Sequence, residues 1–154
     1  MSAPSLSVKK TLHERCLAYI DQCIANAKSA IEEARQSGNN ETKSSAGDKH
    51  ETGRALLQLE QEKNSRQLLE MNQLKEKLIK INPSVTSGII VTGSVVMTNL
   101  GNFYIAVAAG KIEVEGYVYY TISPLSPIAI KLQGLKAGDV GYFNGQEYQI
   151  RYVL

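Results

Sequence analysis

Two carboxylates three residues apart, Asp48 and Glu51, stand in the stretch "SSAGDKHETGRA" (residues 44–55), beside Gly47, Lys49, His50 and Arg54. An Asp and a Glu at this spacing lie on one face of a helix and offer hard oxygen donors, the kind Mg²⁺ prefers. The same spacing makes a capping box, with Asp48 as N-cap and Glu51 at the third helical position. One geometry serves both uses, so spacing alone leaves metal work and capping open. No other residue is spaced to join His50 or His13 as a ligand; His50 reads as an exposed neighbour of the carboxylates and His13 as a helix-surface residue. Cys16 and Cys23 are seven residues apart, about 10 Å along a helix, too far to bridge within it. They read as buried, reduced thiols of a cytoplasmic protein.

The elements that must position these groups fall into two regimes, which meet at "INPSVTSG" (residues 81–88). Pro83 pushes Asn82 out of the helical region and ends any helix before it. Over residues 9–36, Leu12, Cys16, Tyr19, Cys23, Ala27, Ala30 and Ala34 recur at spacings of three and four, widened by Ile20, Ile24 and Ile31. That is a coiled-coil seam, with Gly38 placed to end the helix. Residues 49–81 carry a second seam, from Leu57 to Met71, Leu74, Leu78 and Ile81, with Leu56, Leu59, Leu68 and Leu69 beside it. Its middle, "EQEKNSRQ", has no apolar residue and is expected to pack weakly or through polar pairs. Two such helices make an antiparallel hairpin, and about 28 residues reach roughly 42 Å. A hairpin of that form encloses no core of its own; it is a probe, a lever or an arm.

Residues 83–154 alternate β-branched and aromatic residues with turn signals. Hairpins are expected around Leu100-Gly101, Gly116 and Asn144-Gly145, Asn-Gly being the strongest short hairpin signal. Tyr117, Tyr119 and Tyr120 read as strand residues, alternately buried and exposed. Ser126 caps a short helix that opens on Pro127, turns Ile128, Ala129 and Leu132 to the sheet and ends at Gly134. The expected fold is α+β, with a helical hairpin over residues 1–82 and an antiparallel β domain over residues 83–154.

Hydrophobic residues form 43% of the 154, enough for a packed core. The net charge of +2 is too small for a general nucleic-acid binder. Residues 1–82 carry 13 basic and 11 acidic side chains and residues 83–154 carry 4 of each, so neither part is a basic module. No apolar run reaches the roughly 18 residues of a membrane span. "MSAPSLSVKK" lacks the apolar stretch of a secretory signal.

Taken in this order, the parts resemble the Gre family of bacterial transcription elongation factors, the transcript-cleavage factors of RNA polymerase. The segment "SPIAIKLQGLKAGDVGYFNGQEYQIRYVL" carries most of the likeness, through Ser126, Pro127, Ile128, Leu132, Gly134, Gly138 and Asp139, and "GSVV" (residues 93–96) looks like the family's opening strand. Gly47-Asp48-Lys49-His50-Glu51 is similar to the Gly-Asp-x-x-Glu motif at the family's hairpin tip. The family usually has a second glutamate three residues further on; here that place holds Arg54, and the preceding "NNETKSSA" is long and polar.

The resemblance implies an antiparallel coiled coil followed by an FKBP-like domain. Fold alone gives no reason to expect prolyl isomerase activity. It implies a monomer that binds bacterial RNA polymerase, docks its C-terminal domain at the rim of the secondary channel, and sends its tip towards the 3′ end of a backtracked transcript. Asp48 and Glu51 would assist a Mg²⁺ shared with the polymerase, making the protein a co-catalyst and not an enzyme alone. Ser126, Pro127 and Ile128 would lie on the polymerase-binding surface. The alternative is a Gre-like polymerase-binding regulator without cleavage activity, which Arg54 and the basic neighbours Lys43 and Lys49 favour.

Overall fold

A computed structural model of the chain describes residues 2–43 and 48–154, with the main chain alone for residues 38–43 and 48–51. Two long helices, α1 (Leu6–Lys43) and α2 (Asp48–Lys80), precede six strands and one short helix. The strands are β1 (Val95–Thr98), β2 (Asn102–Ile105), β3 (Gly110–Val114), β4 (Tyr117–Ile122), β5 (Val140–Phe143) and β6 (Gln146–Val153), with α3 (Pro127–Leu132) between β4 and β5. The architecture is α+β. The chain gathers into two compact units, Ile20–Glu76 and Met1–Tyr19 with Lys77–Leu154.

The first unit is the helical hairpin. Its two helices run antiparallel: Lys75 pairs with Asp21 at 2.6 Å, while Cys23, Ala27 and Ala30 share a cleft with Gln67, Glu70 and Met71. On α1 the buried stripe passes through Ile20, Ile24, Ala27 and Ala34, whereas Cys23 is only half-buried. Tyr19, just outside this unit, is 45% exposed. Two overlapping stripes fit the same spacings, and Ile20 and Ile24 take the buried places beside Ala27 and Ala34 that Tyr19 and Cys23 leave. On the α2 part of this unit the half-buried and buried positions are Gly53, Leu57, Gln61, Asn64, Leu68, Met71, Leu74 and Lys75, so polar residues fill the middle of the seam. Asn64 is 7% exposed and its Nδ2 finds no protein partner. Leu56, Leu59 and Leu69 face outward. The described ion pairs are Lys75–Asp21 and the i,i+3 pair Arg35–Glu32.

Gly38 does not end α1, which continues to Lys43. A glycine inside a helix costs only about 1 kcal/mol against alanine, and the polar residues after it are tolerated in helix.

The second unit is a six-stranded sheet in the order β3-β4-β2-β1-β6-β5. Neighbours are antiparallel except β2 and β4, which run parallel with Phe103 opposite Tyr120 and Ile105 opposite Ile122. This departs from the expected all-antiparallel sheet. The β3–β4 hairpin joins through its second strand, leaving β3 at the edge. The three hairpins form where expected, and Asn144 and Gly145 both take positive φ (51° and 73°), as the tight Asn-Gly turn requires.

The central strands β1 and β2 are buried at every residue, which means both faces are covered. On one face Val96, Phe103, Ile105 and Ile150 pack with Ala129 and Leu132 of α3. Val95, Met97 and Tyr104 alternate onto the other face. That face meets the root of α1, where the His13 Nδ1 lies 2.8 Å from the Tyr104 hydroxyl. Val8, Leu12 and Cys16 of that root are buried. Gly93, at φ +91°, enters β1 so close to the end of α2 that a Cβ would stand 2.9 Å from Ile81 Cγ2.

Candidate functional site

Asp48 is the first residue of α2, and the helix is continuous through Glu51. Their Cα positions therefore lie about one turn apart on one helix face. The side chains of Asp48, His50 and Glu51 lie outside the described residues, as does the whole of residues 44–47. Among the described residues no three His, Cys, Asp or Glu side chains gather as a metal site. The Asp48–Glu51 pair is not among those residues. As donors, two carboxylates suit Mg²⁺ and leave most of its octahedron for other ligands.

The second candidate region surrounds the start of α3. Ser126 has extended backbone (φ −64°, ψ 149°), accepts a hydrogen bond from the Ala129 N–H at 3.4 Å, and donates from Oγ to the Ser123 carbonyl at 2.7 Å. Pro127 follows at the first helical position, where its missing N–H costs nothing. Ile128 is half-buried against the core. The polar capacity of Ser126 and much of Ile128 are thus committed to the fold, and only Pro127 is exposed. The large apolar residues exposed around this helix are Leu125, 75% exposed, and Ile130, 57% exposed. Sequence reasoning missed both. The available signal was two large apolar residues off the 129/132 stripe that packs the helix down.

A third cluster is buried. His13 is 5% exposed, so it is not the surface residue its type and place on a helix led us to expect. Tyr104, 91 positions away, supplies its hydrogen bond and an edge-on ring contact at 6.3 Å. Burial holds the His13 imidazole below the ordinary histidine value; Glu14 opposes the effect and Lys9 adds to it. Burial pushes the Cys16 thiol up to about 12, which makes it inert at neutral pH, and raises the Tyr104 phenol with a smaller contribution from Cys16. Both cysteines are free. The cluster is a neutral, structural polar knot.

A pH dependence follows. The unfolded chain binds a proton at His13 near pH 6.5, while the folded chain resists it. The stability contributed by neutral His13 is therefore complete above about pH 6.5 and falls as the pH drops through the lower folded value. Urea midpoints measured between pH 7.5 and 5 are expected to decline more steeply for the native protein than for His13→Gln. Parallel curves would remove His13 as the source.

No protein-family model matches this chain, and no characterised protein or solved structure is significantly similar to it.

The chemistry on offer is therefore read from the chain itself. It has no buried constellation of nucleophile and base among the described residues: Cys16 is protonated, and the His13 ring already bonds Tyr104. Asp48 and Glu51 stand in the first turn of a helix in the hairpin unit, with their side chains outside the described residues. No described helix is long and apolar enough to cross a membrane.

Proposed function

We propose that this protein is a Gre-like factor of bacterial RNA polymerase that enters the secondary channel and stimulates cleavage of backtracked transcripts. The observation that carries the reading is the start of α2 at Asp48, which puts the Gly-Asp-x-x-Glu pair at the turn-proximal end of a two-helix hairpin. The order of hairpin, sheet domain and Ser-Pro-capped short helix supports it. In this reading Leu125, Pro127 and Ile130 form the apolar part of the docking surface on the sheet domain. Asp48 and Glu51 contribute oxygens to a Mg²⁺ held jointly with the polymerase. When bound, that ion supplies Lewis-acid activation of water and charge stabilisation. The chain's own part is to position two carboxylates and to hold them there by capping the helix.

Arg54 and the neighbouring lysines favour a second reading, a channel-binding regulator without cleavage activity. Adding the protein to stalled elongation complexes with 3′-end sequencing of the RNA separates the two. Accelerated release of short 3′ fragments is expected. Displacement of a known cleavage factor with no fragments would select the regulator, and no association with polymerase would end both.

A further inference from the structure

The sheet unit holds a cleft of about 500 Å³ beside the roots of both helices. Three lysines line it, Lys9 from α1 and Lys77 and Lys80 from the last turns of α2, and no Asp or Glu does. None of the three pairs with an Asp or Glu side chain among the described residues. Lys77 and Lys80 have a sufficient local reason, since cations complement the C-terminal end of a helix. That reason does not hold for Lys9, in the first turn of α1. It is 3% exposed, and a buried ammonium is expensive unless it meets a counter-charge.

The hydrogen-bond acceptors of Lys9 are Val85 O at 2.8 Å and, at 3.1 Å, an oxygen of Leu154, the last residue of the sequence, where a free α-carboxyl group is charged at neutral pH. An ammonium has three N–H groups, so one is left over. Ser94, 1% exposed on the same cleft, accepts from the Val91 N–H at 3.0 Å, leaving its own O–H to donate. Ser87 accepts from the Ile89 N–H at 3.3 Å in the same manner. The cleft thus combines three cations and spare hydroxyl donors with apolar walls from Ile81, Val85 and Val91. Its volume lies within the usual range for small-molecule sites, about 300–1,000 Å³.

We infer that this cleft binds a small molecule carrying two or more phosphates, of the nucleoside diphosphate class. The lysines and hydroxyls take the phosphates and the apolar wall takes the remainder of the molecule. Direct contact with ammonium groups gives charge-assisted hydrogen bonds, the stronger kind.

Calorimetric titration of the full chain at constant ionic strength tests this, with pyrophosphate and ADP as separate probes. The measurement needs no polymerase, so its outcome is independent of the reading above. Saturable binding is expected, weakened at least tenfold by Lys77→Glu with Lys80→Glu and several-fold by Ser94→Ala. Both lysines are exposed, so the double variant is expected to keep its native circular dichroism. ADP binding tighter than pyrophosphate would assign the apolar wall its role. Pyrophosphate alone would retain the phosphate site and overturn the nucleoside assignment. No saturable response, or one unchanged in the lysine variant, would overturn the proposal.

Discussion

Replacing Asp48 by Asn and Glu51 by Gln together is expected to abolish stimulated transcript cleavage while leaving the fold and polymerase binding in place. The pair of substitutions is chosen for what it retains. Asn is as good an N-cap as Asp, and Gln serves in a capping box as Glu does. Helix α2 therefore keeps its start at residue 48. What is lost is negative charge, on which metal assistance depends and capping does not. Removing one charge-stabilising group from a reaction centre typically costs about 10²–10³ in rate, so losing both carboxylates is expected to reduce cleavage to the polymerase's own background. Asp48→Ala with Glu51→Ala is the contrast, because it also removes the cap, worth about 1 kcal/mol. The measurement is a time course of 3′-fragment release beside a binding competition. Undiminished cleavage by the amide variant would assign the pair to capping alone and leave the regulator reading.

The fold was legible where local chemistry dictates geometry. Asn144-Gly145 can accept the two positive φ values of a tight hairpin turn, Ser126-Pro127 can start a helix, and Pro83 must stop one; each acted as its type requires. Pairing order was another matter. Alternation puts Tyr119 and Tyr120 on opposite faces without saying which is inward; in the structure Tyr119 is 1% exposed and Tyr120 43%. Nothing in alternation says that β4 would insert beside β2 in parallel, because both neighbours of a strand present the same period.

The helices show a similar limit. Spacings of three and four were correct, yet they admitted two stripes, and only the structure shows Ile20 and Ile24 in the buried one. His13 was misread because a histidine on a helix gains burial only if a distant partner satisfies it. Tyr104 is that partner, and no local pattern reveals it. The candidate carboxylate pair was fully legible as a spacing. Around the start of α3, the capping role of Ser126 was legible, whereas the exposure of Leu125 and Ile130 was not.

The largest stability effect is expected at Leu12, and its reason lies in the way α1 begins. Leu12 is fully buried, with Val8 and Cys16 buried one turn to either side and His13 bonded to the central strand. The first turns of α1 are therefore part of the core beneath β1 and β2, although their sequence reads as the beginning of a coiled coil. Cutting Leu12 to Ala removes transfer energy and leaves a cavity, about 2–5 kcal/mol in all. That is a large share of the roughly 5–15 kcal/mol that holds a typical domain together. At about 2–4 °C per kcal/mol for a chain of this size, the midpoint is expected to fall by about 4–20 °C. Leu59→Ala, on the hairpin and 61% exposed, makes the control, expected to stay within about 0.5 kcal/mol. Near-ultraviolet circular dichroism is the proper readout, since the chain has no tryptophan and its signal comes chiefly from 8 tyrosines, including the buried Tyr104 and Tyr119 of the sheet. If α1 were only a coiled-coil arm, Leu12→Ala would leave that sheet signal at its native midpoint. Loss of the sheet signal from a change in the helix is the result that makes the root of the hairpin and the sheet one folding unit.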